Sequence, residues 1–277
     1  MTFDNHPLFL DSKLNLFDML LKDRGSEKVL LDQKYLTKES ILKRIELLND
    51  LDLLNNHRVL AIGDADYSST AIALFGKPHE VLVLDIDDKI ADQLFDLNME
   101  HEIPVRYLYH DIRLKSLEIL KNQFTVIFME PPHSYFGITL CLSRALVSIQ
   151  DGYENNIFIS VPETGAVRDH FQKIIDVMNL EIVMIFTNIN KYVGSEEVLD
   201  LIRLRKTSSS ISLITGHYQG PFYENEHKSS VQTYKCKCSN EILVDNISFS
   251  KIDQMVGYIC KCGYGGPFQY QSQVPVI

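Results

Sequence analysis

Between residues 57 and 205, short apolar runs alternate with stretches of helical spacing, and this pattern constrains the fold more than any other feature of the chain. HRVLAI, EVLVLDI, VRYLYH, FTVIFME, NIFISV, EIVMIFT and VLDLIRLR read as strands. STAIALF, KIADQLFDLNM, GITLCLSRALVSI and VRDHFQKIIDVM read as the helices between them. Nearly continuous apolar runs belong to strands covered on both faces. Their regular alternation with helices builds βαβ units and a mostly parallel sheet. The last two runs are joined only by the polar link NINKYVGSEE, which predicts an antiparallel pair at one edge.

The expected fold is therefore α/β: a doubly wound, mostly parallel seven-stranded sheet with an antiparallel edge pair, over residues 56–206. That is the Rossmann-like layout of S-adenosylmethionine-dependent transferases. Residues 1–55 are leucine-rich and charged, and LNLFDMLLK and TKESILKRIELLNDLDLL read as two short helices, the second capped by Thr37. We expect an N-terminal helical appendage there, covering a sheet edge and taking no part in catalysis. Residues 207–277 open on TSSSIS, turn rich in Gly, Pro and Tyr, and hold four of the five cysteines. They form a C-terminal extension.

Composition narrows the partners. No run approaches the roughly 20 apolar residues that a membrane span needs. The first thirty residues lack the pattern of a signal peptide. A cytoplasmic protein without a membrane partner is expected. A formal net charge of −10 disfavours nucleic acid, whose phosphates ask for a basic surface, and suits a small cationic amine.

In open α/β sheets ligands bind beyond the carboxyl ends of the strands, and here those ends are acidic. The first ends at Gly63, followed by Asp64 and Asp66, where a phosphate cradle would offer several glycines. The second ends at Asp85, with Ile86 beside it, about twenty residues on, where an acid commonly accepts hydrogen bonds from ribose hydroxyls. The third ends in YHDIR, placing Asp111 where an adenine amino group is read. The fourth ends at Glu130, with Pro131 and Pro132 fixing the turn. An acid at one strand end is often only a helix cap. Four in succession point to an adenosine-containing co-substrate and a cationic reacting partner.

These residues resemble the branched-chain polyamine synthases, or N4-bis(aminopropyl)spermidine synthases. The likeness runs from LDQKYLTKESILKRIELL through VLAIGDADYSSTAIAL and VLVLDID to YHDIR and FTVIFMEPP, about residues 31–150. It implies a Rossmann-like core that transfers aminopropyl groups from decarboxylated S-adenosylmethionine to a polyamine amine, and a homodimer. Carried over residue by residue, it puts Gly63, Asp64 and Asp66 on the family's acidic loop, Asp85 on the ribose acid, Asp111 on the acid after the third strand and Glu130 on the catalytic acid. The chain departs from the family at Ala65, where the loop has a further Asp, and at Glu130, one methylene longer than the family's Asp. Its N-terminal region is also short for the winged-helix-like domain the family leads one to expect.

The chemistry can be argued from the residues alone. An amine attacks the carbon beside a sulfonium, and the enzyme's work is largely to hold that amine unprotonated and in line. Glu130 would accept its proton or orient its lone pair, with Asp64 as a second catalytic acid. Asp64 and Asp66 would hold ammonium groups of donor or acceptor. They would also repel the carboxylate of intact S-adenosylmethionine, a preference that Ala65 weakens. Methyl or aminocarboxypropyl transfer from S-adenosylmethionine is thus the rival reaction, and a non-catalytic nucleoside- or polyamine-binding relative is the rival outside enzymes. Pro131, Pro132, His133 and Tyr135 also bear comparison with the proline-aromatic loop of amino-group methyltransferases, which makes His133 and Tyr135 candidates for the acceptor pocket.

Cys141 lies in an apolar helical stretch and belongs to the core. Cys236, Cys238, Cys260 and Cys262 form two C-K-C pairs. Four thiolates from two turns suit a structural, tetrahedral Zn2+ with no open position. Disulfides and reduced thiols are the alternatives.

Overall fold

The computed structural model describes residues 8–101, 103–152, 155–220, 222–223, 230–239, 241–245, 262 and 269–275. Seven strands form the central sheet: β1 (Arg58–Ile62), β2 (Glu80–Asp85), β3 (Val105–Tyr109), β4 (Val126–Met129), β5 (Asn156–Pro162), β6 (Leu180–Lys191) and β7 (Val198–Lys206). Their order is β3-β2-β1-β4-β5-β7-β6. β1 to β5 run parallel, whereas β7 is antiparallel to both β5 and β6. The chain steps outward from β1 to β3 and then returns to β4 on the other side of β1. That reversal opens a crevice at the carboxyl ends of β1 and β4. It is the doubly wound α/β arrangement expected, with its antiparallel edge pair.

Strand period explains why these runs are apolar throughout. Leu60 and Ile62 of β1 and Leu82 and Leu84 of β2 enter one buried cluster, while Val59, Ala61, Val81 and Val83 enter the other, across the sheet. Helices α5 (Tyr135–Ser148) and α6 (Ala166–Met178) cover the first face, and α3 (Ser68–Phe75) and α4 (Asp88–His101) the second. In the middle, Phe128 and Phe158 from neighbouring strands stack with centroids 4.7 Å apart.

The N-terminal segment lies on the second face. Helix α1 (Asp11–Asp23) docks on α3, where Phe9 and Phe17 meet Phe75 edge-on at 5.0 and 5.8 Å. Helix α2 (Lys38–Asp50) packs against α3 and the edge strand β6. The Thr37 hydroxyl accepts from the Ser40 N–H at 3.3 Å, the cap the sequence predicts. Beyond β7, strands β8 (Ser230–Lys235), β9 (Glu241–Asp245) and β10 (Gln269–Pro275) make a small antiparallel sheet in the order β10-β8-β9. Among the described residues, no helix is long and apolar enough to cross a membrane.

Candidate active site

The crevice is shaped first by the turn after β1. Gly63 has φ +76°, a left-handed conformation that a side chain would strain, and a Cβ there would meet no atom within 4 Å. The backbone, not crowding, asks for glycine at this point. Asp64 and Asp66 are both 3% exposed, and their oxygens serve the start of α3. Asp64 accepts from the Ser69 N–H at 3.0 Å and from the Ser69 hydroxyl, and Asp66 accepts from the Ser68 N–H at 3.0 Å. The first N–H groups of a helix lack internal partners, and its dipole favours negative charge at that end. Burial, reinforced by the neighbouring Asp66, pushes the Asp64 carboxyl well above the usual range. Burial also raises that of Asp66, against the pull of the Arg44 guanidinium.

Arg44 is the central residue among those that sequence reasoning missed. It projects from α2, is 2% exposed, and gathers polar groups from four parts of the chain. Its guanidinium donates to Asn190 Oδ1 at 2.9 Å, Ser160 Oγ at 3.0 Å, Ser68 Oγ at 3.2 Å and Asp66 Oδ2 at 3.5 Å, and also to Glu130 Oε1. The signal was present: Ile41, Arg44, Ile45 and Leu48 occupy the i, i+3, i+4, i+7 positions of one stripe, with an arginine where an apolar residue belongs. The N-terminal segment thus does more than cover an edge; it supplies the cation at the centre of the site.

Glu130 stands at the end of β4 with donors on both oxygens. Oε1 accepts from Ser160 Oγ at 2.7 Å as well as from Arg44, and Oε2 accepts from the Tyr192 hydroxyl at 2.5 Å. Burial alone would raise its pKa, but Arg44, Ser160 and Tyr192 together outweigh it and hold the carboxyl below the usual range. The side chain nevertheless keeps 29% of its surface exposed and faces open space. It is an ionised, oriented acceptor and a weak base.

Two cavities meet at this carboxylate. The first is lined by Gly63, Asp64, Asp66, Asp85, Ile86 and Asp111, together with His110, Glu130, Phe222 and Tyr223. Asp85 accepts from the N–H groups of Ile86, Asp87 and Asp64 at 2.7, 3.0 and 3.1 Å, which fixes the turns after β1 and β2 to each other. Burial raises its pKa despite those donors. Asp111 is gripped by Arg113, Nη2 to Oδ2 at 2.7 Å, and this pairing overcomes burial to lower its pKa. The second cavity is lined by Glu27, Asp32, Glu130, Pro131, His133 and Tyr192 among others. Asp32, Gln33, Lys34, Glu130 and Pro132 border both.

The structure therefore brings Gly63, Asp64, Asp66, Asp85, Ile86, Asp111 and Glu130 to one cavity and His133 to its neighbour. Tyr135 goes elsewhere. It is 3% exposed at the start of α5, edge-on to Phe136 at 5.4 Å and His170 at 6.0 Å, because the turn after Pro132 aims it into the core. Asp64 and Asp66 also differ from the expectation of ammonium holders, since their oxygens are engaged by Ser69, Ser68 and Arg44. Cys236, Cys238 and Cys262 come together, with sulfurs all within 4.8 Å of one another. Cys260 lies outside the described residues.

A family model described as the branched-chain polyamine synthase A C-terminal domain matches residues 12–239. An uncharacterised protein of Methanocaldococcus jannaschii is 26% identical over 92% of this chain and 64% of its own length. N(4)-bis(aminopropyl)spermidine synthases from the same organism and from Thermus thermophilus are 27% and 32% identical over 66% and 43% of this chain, covering 54% and 35% of theirs. The chain thus spans about a third to two-thirds of the length of the curated relatives it matches. The crystal structure of the Thermus thermophilus branched-chain polyamine synthase, in complex with N4-aminopropylspermidine and 5′-methylthioadenosine, superposes with a TM-score of 0.70 at 23% identity, over 77% of this chain and 69% of that one.

Proposed function

The chain belongs to the branched-chain polyamine synthase A C-terminal domain family, and on that premise we propose that it transfers an aminopropyl group from decarboxylated S-adenosylmethionine to a polyamine or other small amine. The observation that carries the reading is the meeting of two cavities at one ionised carboxylate, Glu130. The nucleoside end of the donor occupies the first, with Asp85 accepting from the ribose hydroxyls, Ile86 beside it and Asp111 reading the adenine amino group. The acceptor lies in the second, beside His133.

In the reaction the amine lone pair forms a new C–N bond to the carbon next to sulfur. The C–S bond breaks, its electron pair returns to sulfur, and a neutral thioether leaves. The resulting ammonium later releases its proton to solvent. Glu130 contributes by accepting a hydrogen bond from the amine, which aims the lone pair at the donor carbon. Arg44, Ser160 and Tyr192 keep that carboxylate charged and fixed, so its role is orientation rather than removal of the proton. Asp64 and Asp66 act indirectly, by shaping the loop against α3.

The internal engagement of Asp64 and Asp66 favours a second reading, transfer from intact S-adenosylmethionine, because fewer unpaired negative charges remain to repel the donor's carboxylate. Mass spectrometry of products formed with each donor and a panel of amines separates the two. A product heavier by one aminopropyl group supports the first reading, and a methylated or aminocarboxypropylated amine supports the second. Glu130→Gln should lower turnover by about 10²-fold, the cost of a misaimed nucleophile, while retaining 5′-methylthioadenosine binding. Unchanged turnover would remove Glu130 from the mechanism. A structural Zn2+ on the C-terminal cysteines completes the proposal.

A further inference from the structure

Part of the wall of the first cavity, Phe222 and Tyr223, comes from the C-terminal extension, and the structure pins that segment at successive points. Arg144 of α5, 2% exposed, spends its guanidinium on three backbone carbonyls: Ile112 O at 2.7 Å, Ile214 O at 2.7 Å and Gly216 O at 2.8 Å. The Tyr218 N–H donates to Arg113 O at 2.7 Å, next to the Asp111–Arg113 pair. Phe222 then closes the cavity, and its carbonyl accepts from Ser134 Oγ at 3.2 Å. Ser134 also caps α5, accepting from the Gly137 N–H at 2.8 Å, and sits four residues beyond Glu130. This strap is therefore tied both to the turn that bears Asp111 and to the loop that bears Glu130.

The strap shares a buried cluster with the first of the C-terminal cysteines. Cys236 directly follows β8, is 2% exposed, and packs in the same buried cluster as Phe222, Ile62 and Cys141. The Ser239 N–H closes a turn onto Cys236 O at 2.8 Å, with Ser239 at φ +71°, and this folds Cys238 back towards Cys236. Cys262 Sγ stands 3.6 Å from Cys236 Sγ. Disulfide-bonded sulfurs would be about 2.05 Å apart. Two thiolates on a tetrahedral ion with metal–sulfur bonds of about 2.3 Å lie roughly 3.8 Å apart, so the spacing and the soft donor set both fit a zinc-class cation.

We propose that Cys236, Cys238 and Cys262 bind a thiophilic divalent cation that anchors the Phe222–Tyr223 strap over the donor cavity, so that metal occupancy controls donor affinity. The link to the donor rests on the function proposed above; the anchor itself does not. Without the metal no bond links the three sulfurs, the turn after β8 loosens, and Phe222 loses the support of the cluster it shares with Cys236 while Arg144 and Ser134 still hold the strap. The site is structural, since none of its sulfurs borders either cavity.

The test uses the full chain and zinc as the probe. Elemental analysis should find about one zinc per chain, and cobalt substitution should give a thiolate charge-transfer band. Cys238→Ser, chosen because Cys238 is exposed and its loss leaves no core cavity, should lose the metal and bind 5′-methylthioadenosine about tenfold more weakly by calorimetry. Hydrogen exchange should accelerate at residues 222–223 and stay unchanged in β1 and β4. A chain that binds no zinc, or one whose zinc can be stripped with no change at residues 222–223, overturns the proposal. If the zinc-loaded chain fails to bind 5′-methylthioadenosine, the functional reading falls. Zinc-dependent exchange at residues 222–223 then still supports the anchor, and zinc-independent exchange overturns it.

Discussion

Replacing Arg44 with methionine tests the electrostatic centre of the site. The substitution roughly conserves volume on α2 but removes the donors that reach Asp66, Glu130, Ser68, Ser160 and Asn190. Ser160 and Asn190 keep each other, through a 2.8 Å bond from the Asn190 amide, and Tyr192 still donates to Glu130. Two carboxylates, however, lose their buried cation. Breaking one side of a buried ion pair costs about 3–5 kcal/mol, a large share of the roughly 5–15 kcal/mol that keeps a domain folded. The sign of the pH dependence follows. In the parent chain Glu130 has its folded pKa depressed, so its stabilisation is present above the unfolded pKa of about 4.3 and is lost as pH falls through the folded value. In the variant, burial without the cation raises the carboxyl pKa of Glu130 and raises that of Asp66 further, so the penalty is greatest at neutral pH and above and is relieved by protonation. Urea unfolding followed by circular dichroism should show a gap of about 3–5 kcal/mol near pH 8 that narrows near pH 5. Adding Glu130→Gln to the variant should recover part of the loss, because it removes one of the stranded charges. A gap under about 1 kcal/mol that does not change with pH, with simple additivity in the double variant, would refute the argument.

Asp85→Asn keeps the shape and acceptor oxygen of the side chain but replaces the charged acceptor with a neutral amide. Hydrogen bonds to charged groups contribute about 1.5–3 kcal/mol, so calorimetry should find 5′-methylthioadenosine bound about 10- to 100-fold more weakly; unchanged affinity would take Asp85 out of donor recognition. Thr37→Ala removes the α2 cap and should cost about 1 kcal/mol, read as a lower midpoint in thermal unfolding. Because α2 carries Arg44, turnover should fall with it near that midpoint and not well below it.

The layered α/β core was legible because covering a sheet on both faces leaves a mark in every strand. Leu60 and Ile62 must be apolar for one face and Val59 and Ala61 for the other, so β1 reads as a continuous apolar run. The strand ends were legible for a related reason: Gly63, Asp85, Asp111 and Glu130 are set by where each apolar run stops, and parallel strands bring those stops to one rim. Local rules also placed Thr37, whose capping bond spans three residues.

What the charged side chains do at that rim was decided only in three dimensions. Asp64 and Asp66 look alike in the loop and like ligands for a cation. Their fate depends on Ser68 and Ser69 at the start of α3 and, for Asp66, on an arginine 22 residues earlier that reaches it only once α2 packs against β6. Tyr135 looked like a pocket residue until the first turn of α5 rotated it into the core. Phe222 and Tyr223 carried no signal, because their place in the wall depends on Arg144 and Ser134, about 80 residues away. By itself the sequence determined the sheet, its rim and the acids on it, since burial and strand period act locally and repeat. The tertiary structure alone decided which of those acids are neutralised, since a carboxylate's charge depends on neighbours brought from anywhere in the chain.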